Sequence, residues 1–110
     1  MTAQSRFERI VAARTADRHG TAQALAARIV SDLEGQGREV AVIGSLASGH
    51  FRLHSDIDLL VRSPVDPAGR GAVERAVAAV LRGTGIPYDL IFACDLTEPQ
   101  RAAFEPASGA

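Results

Sequence analysis

Lysine is absent from the chain, and all 12 of its basic residues are arginines. This absence excludes two chemistries, because Schiff-base enzymes and P-loop nucleotide-binding proteins both depend on a lysine amine. Cysteine is almost absent as well, since Cys94 has no second cysteine with which to form an intrachain disulfide. This cysteine usage is typical of proteins that work in a reducing compartment.

The sequence also lacks long apolar runs and an excess of basic charge. No run approaches the about 20 apolar residues that a membrane-spanning helix needs, and the first residues lack the apolar stretch of a signal peptide. The formal net charge is -1, whereas proteins that grip nucleic acid normally carry a basic face. We therefore expect a cytoplasmic protein that contacts no membrane, and nucleic acid is not expected as its main partner.

With 110 residues, the chain has the length of one domain. We expect this domain to cover residues 1–105, with an N-terminal helical region at 5–35 and a catalytic core at 39–96. A flexible tail is expected at 106–110. A core of this size cannot enclose a large cavity, so an active site should be an open cleft.

Apolar residues recur at helical spacing over the first third of the chain. Ser5 followed by Glu8 has the form of a capping box, in which the two side chains bond the free amides at a helix start. The periodic pattern continues to Leu33 across Gly20, which a helix tolerates at a cost of about 1 kcal/mol. We expect one helix that is weakened at Gly20 and ends at Gly35.

The rest of the chain alternates short strands with helices. The predicted elements are strands at 39–43, 57–61 and 88–93, a helix from Asp66–Pro67 to Gly83, and a short helix from Thr97 to Phe104. The order α-β-β-α-β-α predicts an α/β (α+β) domain with a small mixed β-sheet and helices packed on one face.

Two aspartates stand at the start of the second strand. Asp56 and Asp58 are two residues apart, so their carboxylates project from the same face of the strand. Like charges on one face repel each other, which a sequence selected only for stability would avoid. A divalent cation removes this conflict, because carboxylate oxygens suit magnesium or manganese.

A tight Gly44-Ser45 turn follows the first strand. Backbone N–H groups in such a turn are free of the strand pairing and can face an anion. Gly44 permits a close approach of the backbone, and Ser45 adds a hydroxyl donor. A phosphate site beside a carboxylate pair is what phosphoryl or nucleotidyl transfer requires.

Together these residues form a pattern with a known counterpart. The spacing Gly44-Ser45, ten residues, Asp56-x-Asp58 resembles the signature of the DNA polymerase β-like nucleotidyltransferase superfamily. More narrowly, it is similar to that of the minimal nucleotidyltransferases, small antitoxin-type proteins paired with HEPN-domain partners. The resemblance is sharp over residues 42–61 and extends more loosely to about Leu96. It implies the polymerase β-like nucleotidyltransferase fold.

The resemblance also implies roles for individual residues. Asp56 and Asp58 would hold two metal ions. Asp89 on the third strand would be the third carboxylate and a ligand of the catalytic metal. Asp89 would also help to deprotonate the attacking hydroxyl. Asp95 shares the parity of Asp89, but it lies beside a helix start, where ending the strand or capping is the expected role. Gly44 and Ser45 would hold the β- and γ-phosphates of a nucleoside triphosphate.

One position departs from the family pattern. Members often carry arginine just before the second glycine of the turn, and Ser48 stands there in this chain. The missing positive charge weakens support for the leaving pyrophosphate, unless Arg52 or an arginine of a partner replaces it. Lower or partner-dependent activity is therefore an open alternative.

Other reactive side chains have more ordinary interpretations. Loop histidines are usually solvated, so His50 and His54 are weak candidates for nucleotide contacts, and His19 is expected on a helix surface. Cys94 is expected to be a buried, inert thiol. Tyr88 is expected to pack in the core rather than to stack on a base.

By resemblance, the chain is expected to be a Mg2+-dependent nucleotidyltransferase that transfers a nucleoside monophosphate, AMP from ATP, to a hydroxyl. The chain is too short to carry the helical substrate domain of larger relatives, so we expect another chain either to bind the acceptor or to be the acceptor. The resemblance implies a HEPN-type toxin whose tyrosine is adenylylated, which makes this protein an antitoxin. Two alternatives stay open: a non-catalytic antitoxin that acts by contact, and transfer to a small molecule such as an aminoglycoside.

Overall fold

The computed structural model describes residues 5–52 and 55–104 of the chain. Four α-helices, three β-strands and one short 3-10 helix make up this part. In chain order they are α1 (Arg6–Glu34), β1 (Val40–Ile43), α2 (Gly44–Ser48), β2 (Ile57–Val61), α3 (Pro67–Leu81), β3 (Tyr88–Phe92), the 3-10 helix (Ala93–Asp95) and α4 (Glu98–Phe104). The predicted tail at 106–110 and His54 lie outside the described residues, and the domain limits 1–105 stay a prediction.

Helix α1 is one continuous helix of 29 residues, as the apolar spacing predicts. The capping box is present, because the Glu8 amide donates to Ser5 Oγ at 3.0 Å and the Ser5 amide donates to the Glu8 carboxylate at 3.3 Å. Gly20 does not interrupt the helix, which ends at Glu34 before Gly35. The buried residues of α1 all lie in its second half: Ala22, Ala26, Ile29 and Leu33. The first half therefore projects beyond the core.

The three strands form one mixed sheet in the order β1-β2-β3. Strands β1 and β2 are antiparallel, and β2 and β3 are parallel. A parallel pair needs a crossover connection, which α3 supplies. Helix α3 begins where the sequence predicts, since the Gly69 amide donates to Asp66 Oδ1 at 2.7 Å and Pro67 occupies the first turn.

The core lies on one face of the sheet. Ile57, Leu59 and Val61 alternate along β2 and pack with α1 and α3 in one apolar cluster. Side chains at the intervening positions of β2 point to the opposite face, which carries Asp58. The prediction of a small mixed sheet with helices is confirmed, and this alternation sets the faces that the aspartates occupy.

The predicted Gly44-Ser45 turn is wrong in detail, because these residues begin the five-residue helix α2. Gly44 adopts a φ of 72°, which reverses the chain directly out of β1. The helix closes at Gly49, which is left-handed with a φ of 82°. The element order is therefore α-β-α-β-α-β-α rather than α-β-β-α-β-α.

Three side chains lie in surroundings that differ from the expected ones. Cys94 is exposed, because the chain leaves β3 at Phe92 and enters the 3-10 helix. Tyr88 is 38% exposed, because it is the first residue of an edge strand. His19 is partly buried, with its ring centroid 6.2 Å from that of Phe51. Among the described residues, no helix is both long and apolar enough to cross a membrane.

Candidate active site

Strand pairing brings two of the predicted carboxylates to adjacent positions. Asp58 on β2 pairs with Asp89 on β3 in the parallel register, and Asp58 also pairs with Ile43 on β1. Neighbouring strands lie about 4.8 Å apart, and paired residues project from the same face. The central strand therefore presents Asp58 beside Asp89. These positions follow from the strand register and not from chain proximity.

Asp56 adds a third negative charge at this edge of the sheet. It stands two residues before Asp58 and is exposed, as Asp89 is, whereas Asp58 is partly buried. The pKa of Asp58 is raised above its usual value, first because burial disfavours the charged carboxylate and then because Asp56 and Asp89 repel it. Asp56 and Asp89 thus both act electrostatically on Asp58.

The start of α2 lies directly against the Asp58 carboxylate. A Cβ atom added to Gly44 would lie 3.1 Å from Cγ of Asp58 and 3.3 Å from its Cβ, and closer still to Oδ2. Gly44 also has a positive φ, which side chains rarely adopt. Glycine is therefore required here twice over, for the backbone conformation and for the approach to Asp58.

Ser45 follows Gly44, and its carbonyl oxygen holds the end of α2 together. The His50 amide donates to Ser45 O at 2.8 Å, and Ser48 Oγ donates to the same oxygen at 3.2 Å. His50 Nδ1 lies 3.0 Å from Ser48 Oγ, and the histidine tautomer sets which of the two groups donates. This arrangement leaves His50 Nε2 pointing away from the serine.

Asp95 is held away from the other three aspartates. The Arg70 guanidinium of α3 donates to both carboxylate oxygens of Asp95 and stacks over the Phe92 ring, 4.6 Å from its centroid. The pKa of Asp95 is lowered, first because of the hydrogen bond from Arg70. Asp95 therefore ties α3 to the end of β3, and Asp89 is the residue of the pair that stands beside Asp58.

The three carboxylates are suitable ligands for a divalent cation, but they are not arranged to coordinate one. Within the described ranges, no three of the histidine, cysteine, aspartate and glutamate side chains stand close enough together to hold a metal ion. Carboxylate oxygens are the donors that magnesium and manganese prefer. Asp56 and Asp89 are exposed, and exposed side chains change rotamer readily, so their carboxylates are free to reorient.

Sequence reasoning missed a groove beside this edge of the sheet. The groove has a volume of about 630 Å³ and lies between Val11 and Thr15 of α1 on one side and residues 49–52 with Ser55 on the other. Ser55, one of the lining residues, directly precedes Asp56 in the chain. The sequence contains one signal for this groove, because Phe7, Val11 and Thr15 follow one another at intervals of four and so share a face of α1. Only the fold shows that the hydrophobic core does not extend beneath these residues.

Comparison with known proteins gives one match. A family model described as a nucleotidyltransferase domain matches residues 25–105, a range that includes Gly44, Ser45, Asp56, Asp58 and Asp89. The searches of curated proteins and of solved structures each returned no match. Because the matched residues make up well over half of the chain, the chain belongs to the nucleotidyltransferase domain family.

Proposed function

We propose that this nucleotidyltransferase domain transfers AMP from ATP to the tyrosine hydroxyl of a HEPN-type toxin and thereby acts as an antitoxin. Membership of the family supports nucleotidyl transfer in general. The register of Asp58 beside Asp89 is the observation that supports catalysis by this chain. The choice of AMP and of a HEPN-type partner rests on the resemblance of the Gly44-Ser45 and Asp56-x-Asp58 pattern to minimal nucleotidyltransferases.

In this proposal, the three aspartates have distinct tasks. Asp56 and Asp58 would hold two magnesium ions, with Asp89 as a further ligand, and the bound metal would supply charge stabilisation for the phosphates. Asp89 would accept the proton of the acceptor hydroxyl, since it is exposed at the edge of the sheet. The acceptor oxygen then bonds to the α-phosphorus, the bond from that phosphorus to the bridging oxygen breaks, and pyrophosphate leaves.

Gly44 and Ser45 would hold the β- and γ-phosphates. No side chain caps the start of α2, so its first amides have no side-chain acceptor. The missing Cβ of Gly44 keeps the space in front of Asp58 open. Because the chain has no lysine, amides and a hydroxyl would bind the phosphates, and the metal would offset most of their charge.

A transfer assay with two labels tests the proposal. ATP labelled at the α-phosphate should pass its label to a tyrosine of a purified HEPN-domain toxin when magnesium is present, whereas label at the γ-phosphate should leave with pyrophosphate. Asp58→Asn should lower the transfer rate at least about 100-fold. Asp95→Asn is the matched control. Asp95 forms an ion pair with Arg70 and is not part of the proposed site, so this variant should retain the parent transfer rate.

A binding-only antitoxin is the second candidate, and one observation favours it. The carboxylates of the described residues are not gathered into a metal-holding group. A binding-only protein would neutralise the toxin without ATP and equally well as the Asp58→Asn variant. Transfer of the α-label to an aminoglycoside but not to the toxin would instead support a small-molecule acceptor. Either result would contradict the proposed protein acceptor.

A further inference from the structure

The first half of α1 presents an apolar surface that the chain itself does not cover. Phe7 is 74% exposed and Ile10 is 43% exposed, while Val11 is partly buried at the wall of the groove. The residues from Arg6 to Gly20 span about 22 Å of helix, at 1.5 Å per residue, before the first buried residue of α1, Ala22.

This surface continues the stripe by which α1 packs on its own core. Val11 and Thr15 wall the groove, and Ala22, Ala26 and Ile29 are buried further along the same side of the helix, because intervals of three, four and seven residues keep to one face. The stripe therefore runs past the end of the core. An apolar stripe that extends in this way is suited to cover by another apolar element.

The charge around the groove is positive on balance. His50 and Arg52 are its titratable wall residues among those described, and no carboxylate lines it. Arg52 forms no ion pair with any residue in the described part of the chain. The projecting half of α1 adds four arginines (Arg6, Arg9, Arg14 and Arg18) against two acids (Glu8 and Asp17).

This charge pattern decides between two occupants. A second copy of the chain would place the arginine-rich half of its α1 against Arg52, and like charges across an interface cost free energy. A helix with an apolar face flanked by glutamate or aspartate would instead fill the groove and pair with Arg52 and with the arginines of α1. The observations therefore favour an acidic amphipathic helix of a different protein.

We propose that the groove between the first half of α1 and residues 49–52 with Ser55 docks an acidic amphipathic helix of the protein that carries the acceptor hydroxyl. Ser55 lines the groove and directly precedes Asp56, so a helix seated there contacts the segment that leads into Asp56 and Asp58. This proposal rests on the proposed function for the identity of the partner. Binding itself requires neither ATP nor metal.

Two synthetic peptides provide the probe, each long enough to span the projecting half of α1. One has leucines at helical spacing flanked by glutamates, and the other has lysines in place of the glutamates. Fluorescence anisotropy measures their binding to the full chain without ATP or metal. The acidic peptide should bind at least about tenfold more tightly than the basic one, and added salt should weaken its binding.

Substitutions in the chain locate the binding. Val11→Asp and Arg52→Gln should each weaken binding of the acidic peptide about tenfold, and circular dichroism melts check their folding. Ala13→Asp places the same carboxylate on an exposed position of α1 away from the stripe and should bind like the parent. Arg52 is exposed, so its substitution keeps the test valid if Val11→Asp fails to fold.

Several results would overturn the proposal. Equal binding of the two peptides, no binding of either, or binding indifferent to both Val11→Asp and Arg52→Gln would each contradict it. A dimer that sedimentation detects in the parent and not in Val11→Asp would identify a second copy as the occupant. Asp58→Asn should bind the peptide like the parent, so a failure of nucleotidyl transfer and a failure of docking are distinguishable.

Discussion

Asp58 lies on the central strand with a second carboxylate on the neighbouring strand and a third two residues before it. A residue chosen for stability would not stand there, because burial and two like charges all raise its pKa. The sign of a stability change at this position therefore separates a functional acid from a structural one. The same reasoning applies to Gly44, whose conformation is costly for any other residue.

The first prediction is that Asp58→Asn leaves the metal-free protein equally stable or more stable at neutral pH. The pKa of Asp58 in the folded protein lies above its usual 3.8, so the carboxyl destabilises the fold once it is ionised. Stability lost by the parent as the pH rises through this folded pKa should be absent in the variant. Below pH 3.8 the two melting temperatures should converge. Thermal melts in chelator across this pH range are the measurement.

If Asp58 were a structural aspartate, the change in stability on Asp58→Asn would have the opposite sign. Its loss would lower the melting temperature, and transfer would fall only in proportion to the folded fraction. A clear decrease in melting temperature at neutral pH, with transfer intact, would show that Asp58 is misassigned.

The second prediction compares the glycines at the two ends of α2, Gly44 at its start and Gly49 just after its last residue. Gly49→Ala should cost about 1–2 kcal/mol, because its φ of 82° is left-handed while an added Cβ would meet nothing within 4 Å. Gly44→Ala should cost about 1–3 kcal/mol more, because its Cβ would also press on Asp58. Urea unfolding measures both free energies. Equal costs at the two positions would contradict the close approach of Gly44 to Asp58.

At the scale of elements, α3 and the end of β3 are joined by a charged contact. Arg70 on α3 reaches the Asp95 carboxylate in the 3-10 helix and covers Phe92. This pair is exposed to solvent, so its stabilising effect should be modest and sensitive to salt.

The third prediction is that Asp95→Asn lowers the melting temperature at neutral pH and leaves nucleotidyl transfer unchanged. The pKa of Asp95 is lowered below its usual 3.8, so the stabilisation is complete above that value and is lost as the pH falls through the folded pKa. The difference between parent and variant should therefore narrow in acid. Asp95→Asn and Asp58→Asn are thus expected to change stability in opposite directions at neutral pH. Melts of both variants side by side would expose an error in either assignment.

The elements themselves could largely be predicted from the sequence. The capping boxes at Ser5 and Thr97 and the Asp66–Pro67 start depend on neighbouring residues, which is why local patterns locate them. The sequence predicts a tight turn in place of helix α2, because a short helix whose start is set by the positive φ of Gly44 leaves no periodic signal. The exposure of Cys94 depends on where β3 ends. The strand ends at Phe92, one residue earlier than the predicted limit of 93.

The candidate site could be predicted from the sequence only in part, because some of its residues are close in the chain and others meet only in the fold. The Asp56-x-Asp58 pair and the Gly44-Ser45 turn are local, so spacing along the chain identifies them. The position of Asp89 opposite Asp58 depends on strand register, which chain spacing does not specify. The groove beside α1 exists because the core ends before the helix does. The spacing of Phe7, Val11 and Thr15 predicts one apolar face of α1, but it does not show that the core leaves Val11 and Thr15 uncovered.

For the whole molecule, the proposed site destabilises the empty protein and its ligands should restore stability. Three carboxylates repel one another without metal, and the triphosphate adds further negative charge to the same edge. Metal and nucleotide are therefore expected to bind together, because each compensates the charge of the other.

The last prediction is that magnesium and ATP raise the stability of the chain jointly and not separately. A ligand that binds only the folded state stabilises it by about 2.7 kcal/mol at a concentration of 100 times its Kd, which shifts the melting temperature of a domain this size by about 10 °C. We expect this shift for the parent and for Asp95→Asn with both ligands present, and a much smaller one for Asp58→Asn. Calorimetry should likewise show weak ATP binding in chelator. Equal ATP affinity with and without magnesium would contradict the metal-dependent arrangement of Asp56, Asp58 and Asp89, because the aspartates alone repel the phosphates.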